Sequence, residues 1–348
     1  NGVIIKSNIN NEFVTYEELP NGESGWVGNE FSIYNTKMYM IETSNAHEMT
    51  VTGEVVDGTG IMFMLEPGWN WIGYPIDKVQ NIDVALSGLQ DKAQVGDMIK
   101  HRDVFAYFDA STKKWIGTLT QLEPGKGYKY KSNKSSISMF YYTKSDAKET
   151  VVDNAIIDEN YWKVESSGYA NNMTITAMLS IDGEVVNDNY EIAAFANGEC
   201  RGSARPVYIE KFDAYILFMT VYGEEVEDLT FRYYDVNYGT EYELDNRVVY
   251  SNDASLGSIK DPYMFTLNIT GVDETSMSEI NIYPNPTTIG SEINLQATCD
   301  KVEVFNALGV KIAEYQNVDT LDAFETAGIY VIRITNDNAV KHCRLVVK

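Results

Sequence analysis

At 348 residues and a formal net charge of −24, the chain is too long for one small core and too acidic for nucleic acid, whose phosphates need a basic groove. The charge also disfavours an anionic membrane surface, and it suits a protein kept soluble outside a cell as readily as an acidic cytosolic one. No apolar run approaches the roughly 18–20 residues of a spanning helix, so no transmembrane segment is read, and 24 tyrosines among Thr- and Val-containing segments favour strands.

The first 143 residues contain a repeat. Ile5-Lys6, Trp26-Val27-Gly28, Lys37-Met38-Tyr39 and Thr43 recur as Ile99-Lys100, Trp115-Ile116-Gly117, Lys126-Gly127-Tyr128 and Ser132, at an offset of 89 from Trp26 onward. The change in length is expected in the loop before each tryptophan, Glu17–Gly25 against Asp109–Lys114, where insertions cost little. The second copy opens with Leu65–Pro75 and a helical patch in which Ile82, Leu86 and Leu89 share one face. The first copy has no such opening, which leads us to expect further residues upstream of Asn1, with a signal peptide among them if the protein is exported. Each unit reads as a small β-rich module with one helix: a partial copy over 1–57 and a complete one over 58–143. Trp69 and Trp71 point the same way on a strand. Core packing is the favoured role for these aromatics. The functional alternative is a stacking platform for sugar rings, built from Trp26, Trp69, Trp71, Trp115 and Tyr128.

Residues 144–158 read as a linker, since Thr143–Thr150 is polar and lacks a period between strand-like flanks. From 159 to 271 the pattern is again β, with Asp182-Gly183 and Asn197-Gly198 turns between apolar-rich runs. About eight strands in that span fit a sandwich. The segment Ile192–Gly202, with Phe231–Asp235 later, resembles β-sandwich modules of other secreted proteins. The Gly68–Gly73 and Trp115–Leu119 segments likewise resemble repeated modules of secreted Bacteroidota proteins.

The terminal module, 272–348, opens with Tyr283-Pro284-Asn285-Pro286, and its prolines mark an entry or an edge because they cannot donate to a ladder. Lys301–Gly309 reads as a strand and turn, and Gly328–Thr335 alternates with Tyr330, Ile332 and Ile334 on one face. His342–Val347 closes the module, and about seven strands in this length form a small immunoglobulin-like sandwich. These four motifs, in this order, resemble the C-terminal sorting domain of the type IX secretion system of the Bacteroidota. The resemblance implies export through the periplasm to the outside or the outer cell surface. The outer-membrane secretion machinery would be the partner, and Pro284, Asn285, Pro286, Gly309, Gly328, Tyr330 and Lys348 the signal residues. It further implies that the domain is normally cleaved outside, the remainder being released or attached to surface polysaccharide.

Chemistry is hard to find. His47, His101 and His342 fall in three different modules, none in a zinc-ligand spacing. No nucleophile elbow or phosphate loop occurs. Cys200, Cys299 and Cys343 are too few for a framework, and the last two either pair or remain free thiols. Asp182, Asn187, Asp188 and Asn189 offer oxygens that calcium could use, but they lack the order of a calcium loop and read first as solvated turn residues. The expectation is a mainly β, multidomain, non-catalytic chain with neither cofactor nor metal. Its modules would bind a glycan or an extracellular protein, or else act as the stalk of a secreted hydrolase.

Overall fold

The structure is a computed structural model that describes residues 2–8, 12–29, 32–46, 53–54, 56–145, 160–187, 189–224, 226–237, 239–268, 282–306, 310–322, 324–336 and 339–348. It is mainly β. Two compact units emerge, one comprising Asn1–Ala177, Gly198–Glu227 and Tyr250–Tyr263, the other Met178–Asn197, Asp228–Val249 and Met264–Lys348. The span 159–271, read as one sandwich, is therefore shared between them. The linker read at 144–158 lies from residue 146 outside the described residues.

In the first unit the repeat is visible as topology. Strands β1 (Val3–Lys6), β2 (Phe13–Glu18), β3 (Ser24–Gly28) and β4 (Met40–Glu42) form a sheet in the order β3-β2-β1-β4. The second copy opens with β5 (Met62–Leu65), β6 (Gly68–Gly73), β7 (Gln80–Asn81) and the one-turn helix α1 (Ile82–Ala85). It continues through β8 (Met98–His101), β9 (Val104–Asp109), β10 (Lys114–Gly117), β11 (Gln121–Leu122), β12 (Gly127–Ser132) and β13 (Ser138–Tyr141). Its main sheet runs β10-β9-β8-β12-β6, the same order with β6 added at one edge.

Detailed bonds repeat as well. Tyr34 N donates to the Tyr39 hydroxyl at 2.9 Å, as Glu123 N does to that of Tyr128 at 2.8 Å. One expectation needs correcting. Ile5 pairs with Val14 and Val14 with Gly28, whereas Ile99 pairs with Ala106 and Ala106 with Gly117. The length change is thus divided between two hairpins, because either turn can lengthen without disturbing the ladder.

Helix α1 is capped by Asn81, whose side chain accepts from Asp83 N. Ile82, Leu86 and Leu89 enter one core with Ile72, Phe108, Trp115, Tyr128, Tyr130 and Phe140, each large side chain there contributing roughly 1.5–3 kcal/mol by burial. Strands β5 and β13 pair as a separate ribbon, Met139 opposite Met64 and Tyr141 opposite Met62. Phe63, Leu65 and Phe140 face the core, while Met62, Met64, Met139 and Tyr141 are exposed, the alternation of a half-buried strand pair.

Next in the chain come β14 (Asn171–Ile181), β15 (Glu184–Val185), β16 (Tyr190–Ala196), β17 (Glu199–Ala204), β18 (Pro206–Ile209) and β19 (Ala214–Gly223). β20 (Asp228–Asp235), β21 (Thr240–Val249), β22 (Ser255–Leu256) and β23 (Tyr263–Leu267) follow. Within the first unit β14 pairs with β19 and β19 with β18, and β22 lies parallel to β14. Within the second, β20 pairs on either side with β16 and β21. The turn residues Asp182, Gly183, Asn197 and Gly198 all have positive φ (51°, 86°, 51° and 81°), as two-residue hairpin turns require.

The terminal module, also in the second unit, contains β24 (Ile293–Asn306), β25 (Lys311–Leu321), β26 (Gly328–Asn336) and β27 (Ala339–Val347) in the order β25-β24-β26-β27. The seven short strands of the sequence reading run together into these four. β24 continues through register shifts at Asn294/Cys299 and Val304/Phe305, and the entry segment contributes single bridges at Tyr283 and Thr287. Ile293, Leu295, Val302, Val304, Ile332, Ile334, Leu345 and Val347 form the core. Cys299 and Cys343 are free thiols, and burial raises the pKa of both.

Candidate functional site

The opening and closing motifs of the terminal module meet in space, through contacts that span 59 and 61 residues of sequence. Pro284 and Pro286 have no N–H to offer, and between them the Asn285 side chain supplies both a donor and an acceptor. Its Nδ2 donates to the Arg344 carbonyl at 2.6 Å, and its Oδ1 accepts from Val346 N at 3.0 Å. Beyond the prolines, Thr287 N donates to Val346 O at 2.8 Å and Lys348 N to Thr287 O at 2.8 Å. The ladder ends with Ile289 N donating to Lys348 O at 3.1 Å. Sequence reading had these as successive motifs; that Asn285 links them needed the fold.

Tyr330 lies on the inner face of β26, its ring centroid 4.5 Å from that of Phe324 and its hydroxyl donating to Thr326 O at 2.8 Å. At Gly328 an added Cβ would sit 3.7 Å from the Tyr330 ring, an ordinary contact, so sterics do not demand glycine there. Lys348 is exposed. Gly309 lies outside the described residues.

The aromatic candidates divide. Trp115 and Tyr128 are 7% and 1% exposed, core side chains with no face left for a sugar. Trp115 packs on Phe108 and Tyr130 at centroid distances of 5.3 and 5.8 Å, and Asp83 from α1 accepts its backbone N–H. Its counterpart Trp26 is 51% exposed, with Tyr16 edge-on at 5.2 Å. The cross-strand partner is equivalent in the two copies; what differs is the cover that the 82–89 segment lays over Trp115.

Trp69 and Trp71 do share a face of β6, but lysines occupy it. Lys100 Nζ stands 4.5 Å and Lys131 Nζ 5.6 Å from the Trp69 ring, and Lys129 Nζ 5.3 Å from that of Trp71. Lys100 and Lys129 also converge on Asp253, each at 3.0 Å, and Lys100 donates to Asn172 Oδ1 at 2.8 Å. Lys100 is 2% exposed, and burial pushes its ammonium down to about 8 against the pull of Asp253. Burial works to raise the Asp253 carboxyl, but Lys100 and Lys129 outweigh it and hold the group below its ordinary range.

Around this cluster the second repeat and the β14-β19-β18 sheet share a core of Met98, Phe105, Tyr107, Ile209, Ile216, Phe218 and Ile259, with Trp69 against it. Phe105 and Phe218 meet at 5.5 Å, Thr176 donates to the Tyr107 hydroxyl at 3.2 Å, and Lys211 pairs with Asp109. The Trp69 face is therefore a joint inside the first unit. Nothing in the sequence linked Lys100 to Asp253, because 153 residues separate them.

A cavity of about 280 Å³ opens beside the 123–127 loop, lined by His101, Arg102, Asp103, Thr120, Glu123 and Lys126 among others. His101 Nδ1 donates to Gly127 O at 2.8 Å, and burial lowers the ring's pKa. Lys126 and Glu123 pair at 2.8 Å, and Tyr222 donates to Asp103 at 2.6 Å. Most of its polar groups are thus already bonded within the protein. Among the described residues no group of His, Cys, Asp and Glu is arranged to hold a metal; of the calcium candidates, Asp188 lies outside them.

Comparison with known proteins agrees with the terminal module. Residues 281–348 match the family described as a secretion system C-terminal sorting domain. The chain is also 36% identical over 84 residues to the ulvan lyase NLR42 of Nonlabens ulvanivorans, spanning 22% of this chain and 16% of the lyase. Among solved structures, extracellular domains 3–5 of Drosophila OTK match 52% of this chain and 61% of their own at 9% identity, with a TM-score of 0.16. The Bacillus anthracis TIE protein matches 100% of this chain and 51% of its own at 8% identity, with a TM-score of 0.19. Such scores carry no argument, and the architecture is read from the strands themselves. Residues 281–348 are a type IX sorting domain, so the protein is an exported one, secreted or held at the outer cell surface. No helix among the described residues is long and apolar enough to cross a membrane.

Proposed function

We propose that the modules ahead of the sorting domain are non-catalytic supports, a stiff spacer carrying a binding or catalytic part of an exported protein. The observation behind this is the joint. The lysines and tryptophans best suited to grip a ligand are spent on Asp253, Asn172 and one another, and the aromatic core beneath ties the second repeat to the β14-β19-β18 sheet. The likeness to part of an ulvan lyase supports a place beside an enzyme of that kind. Two measurements test the reading. The chain by itself is expected to show no degradation of ulvan, and in the native host deletion of 281–348 is expected to leave the product inside the cell envelope. Turnover by the chain, or normal export of the truncated form, would sink it.

A second reading, glycan or protein binding at the surface, rests on Trp26, the one exposed member of the aromatic candidates in the repeats. It predicts that Trp26→Ala weakens retention on an immobilised polysaccharide at least tenfold while Trp71→Ala does not. Equal behaviour of both variants and the parent rejects it.

A further inference from the structure

Strand β27 has two edges. One pairs with β26 from Gly328↔Val347 to Asn336↔Ala339. The other would present the backbone groups of Arg344, Val346 and Lys348, and bare edges of this kind are templates for an added strand. In this protein the entry segment takes them first, through the Asn285 side chain and the backbone of Thr287 and Ile289. What remains outward is side chain. Arg344 and Lys348 are exposed, as are Tyr283, Pro284 and Pro286 in the segment that closes the edge. The last eight residues hold Lys341, Arg344 and Lys348 and no acidic residue, in a chain whose net charge is −24.

We infer that Asn285 is the positioning residue of the sorting domain. It holds the outer edge of β27 shut, so that the export machinery reads Arg344 and Lys348 as side chains instead of adding a strand of its own. The partner surface that fits is acidic, with carboxylates for the two cations and an apolar recess for the Tyr283 ring. This rests on the sorting reading of 281–348 and says how that domain is recognised.

The experiment uses the full chain in its native host. Asn285→Asp is isosteric and replaces the Nδ2 donor with an oxygen facing the Arg344 carbonyl; Asn285→Ala removes both bonds. Arg344→Glu combined with Lys348→Glu leaves the backbone ladder in place. Export is followed by cell fractionation, and amide exchange on the purified chains follows the edge. Asn285→Ala is expected to speed exchange at Val346 and Lys348 at least tenfold, and Asn285→Asp, which keeps the acceptor for Val346 N, to do so at Lys348; both are expected to leave the β24 amides protected and cut export at least fivefold. The charge-reversed pair is expected to keep its protection and lose export to the same degree. Undiminished or increased export with the edge open, the result strand addition would give, overturns the inference. So does normal export of the charge-reversed pair, which decides alone if an Asn285 variant also exposes β24. A chain lacking 281–348 is run alongside: if it too is exported, the sorting reading fails, whereas if only it is retained, the inference alone fails.

Discussion

At Gly117 the β10 backbone passes so close to β9 that an added Cβ would lie 2.2 Å from the Phe105 carbonyl oxygen, and φ is 156°. Gly28 in the first copy repeats the geometry, 2.5 Å from the Phe13 oxygen. Gly117→Ala should therefore cost about 3 kcal/mol in a denaturant titration, because both strands must shift. Gly60→Ala, with nothing within 4 Å, is the control.

Lys100 gives a prediction of opposite sign to intuition. Its folded pKa of about 8 lies below the ordinary 10.5, so the unfolded chain binds more protons between those values and stability rises with pH there. The rise should be visible from pH 8 to about 9.5, before buried tyrosines such as Tyr130 and Tyr142, whose pKa values burial raises, begin to oppose it. Lys100→Met should flatten this slope, and at pH 7 its cost should be small, since the ammonium's desolvation is relieved and Lys129 still pairs with Asp253. A titration in which the parent and the variant fall together with rising pH would exclude this account.

Elements were legible where a pattern had a local cause. The 89-residue offset gave the repeat, and the Asp182-Gly183 and Asn197-Gly198 pairs gave their turns, since each depends on neighbours in sequence. The alternation of Tyr330, Ile332 and Ile334 placed them correctly inside the sheet. Burial of Trp115 against exposure of Trp26 was not legible, because their local sequences are alike and the difference comes from what covers them. The joint escaped for the same reason: its ion pairs and rings join residues far apart in the chain. Its strength is open to measurement. Phe105→Ala and Phe218→Ala should each cost about 3–5 kcal/mol, and the double variant should fall short of additivity by about 0.5–1.5 kcal/mol. Full additivity would mean the two rings do not work as one contact.

At the scale of the whole molecule the sorting domain was readable because its motifs lie within one short stretch, and the matched segment, 281–348, falls within the 272–348 read for it. The role of the rest was less so. Charge and composition say what the chain avoids, while a ligand is chosen by surfaces that only the fold assembles. One such surface is the outer side of the β5–β13 ribbon, where Met62, Met64 and Met139 stand 46%, 55% and 50% exposed over a core face of Phe63, Leu65 and Phe140. Outside a cell, those three thioethers are open to peroxide, which would turn each into a sulfoxide. The added oxygens then point into water, so the ribbon can absorb oxidative damage on its wet side while the phenylalanines behind it stay dry.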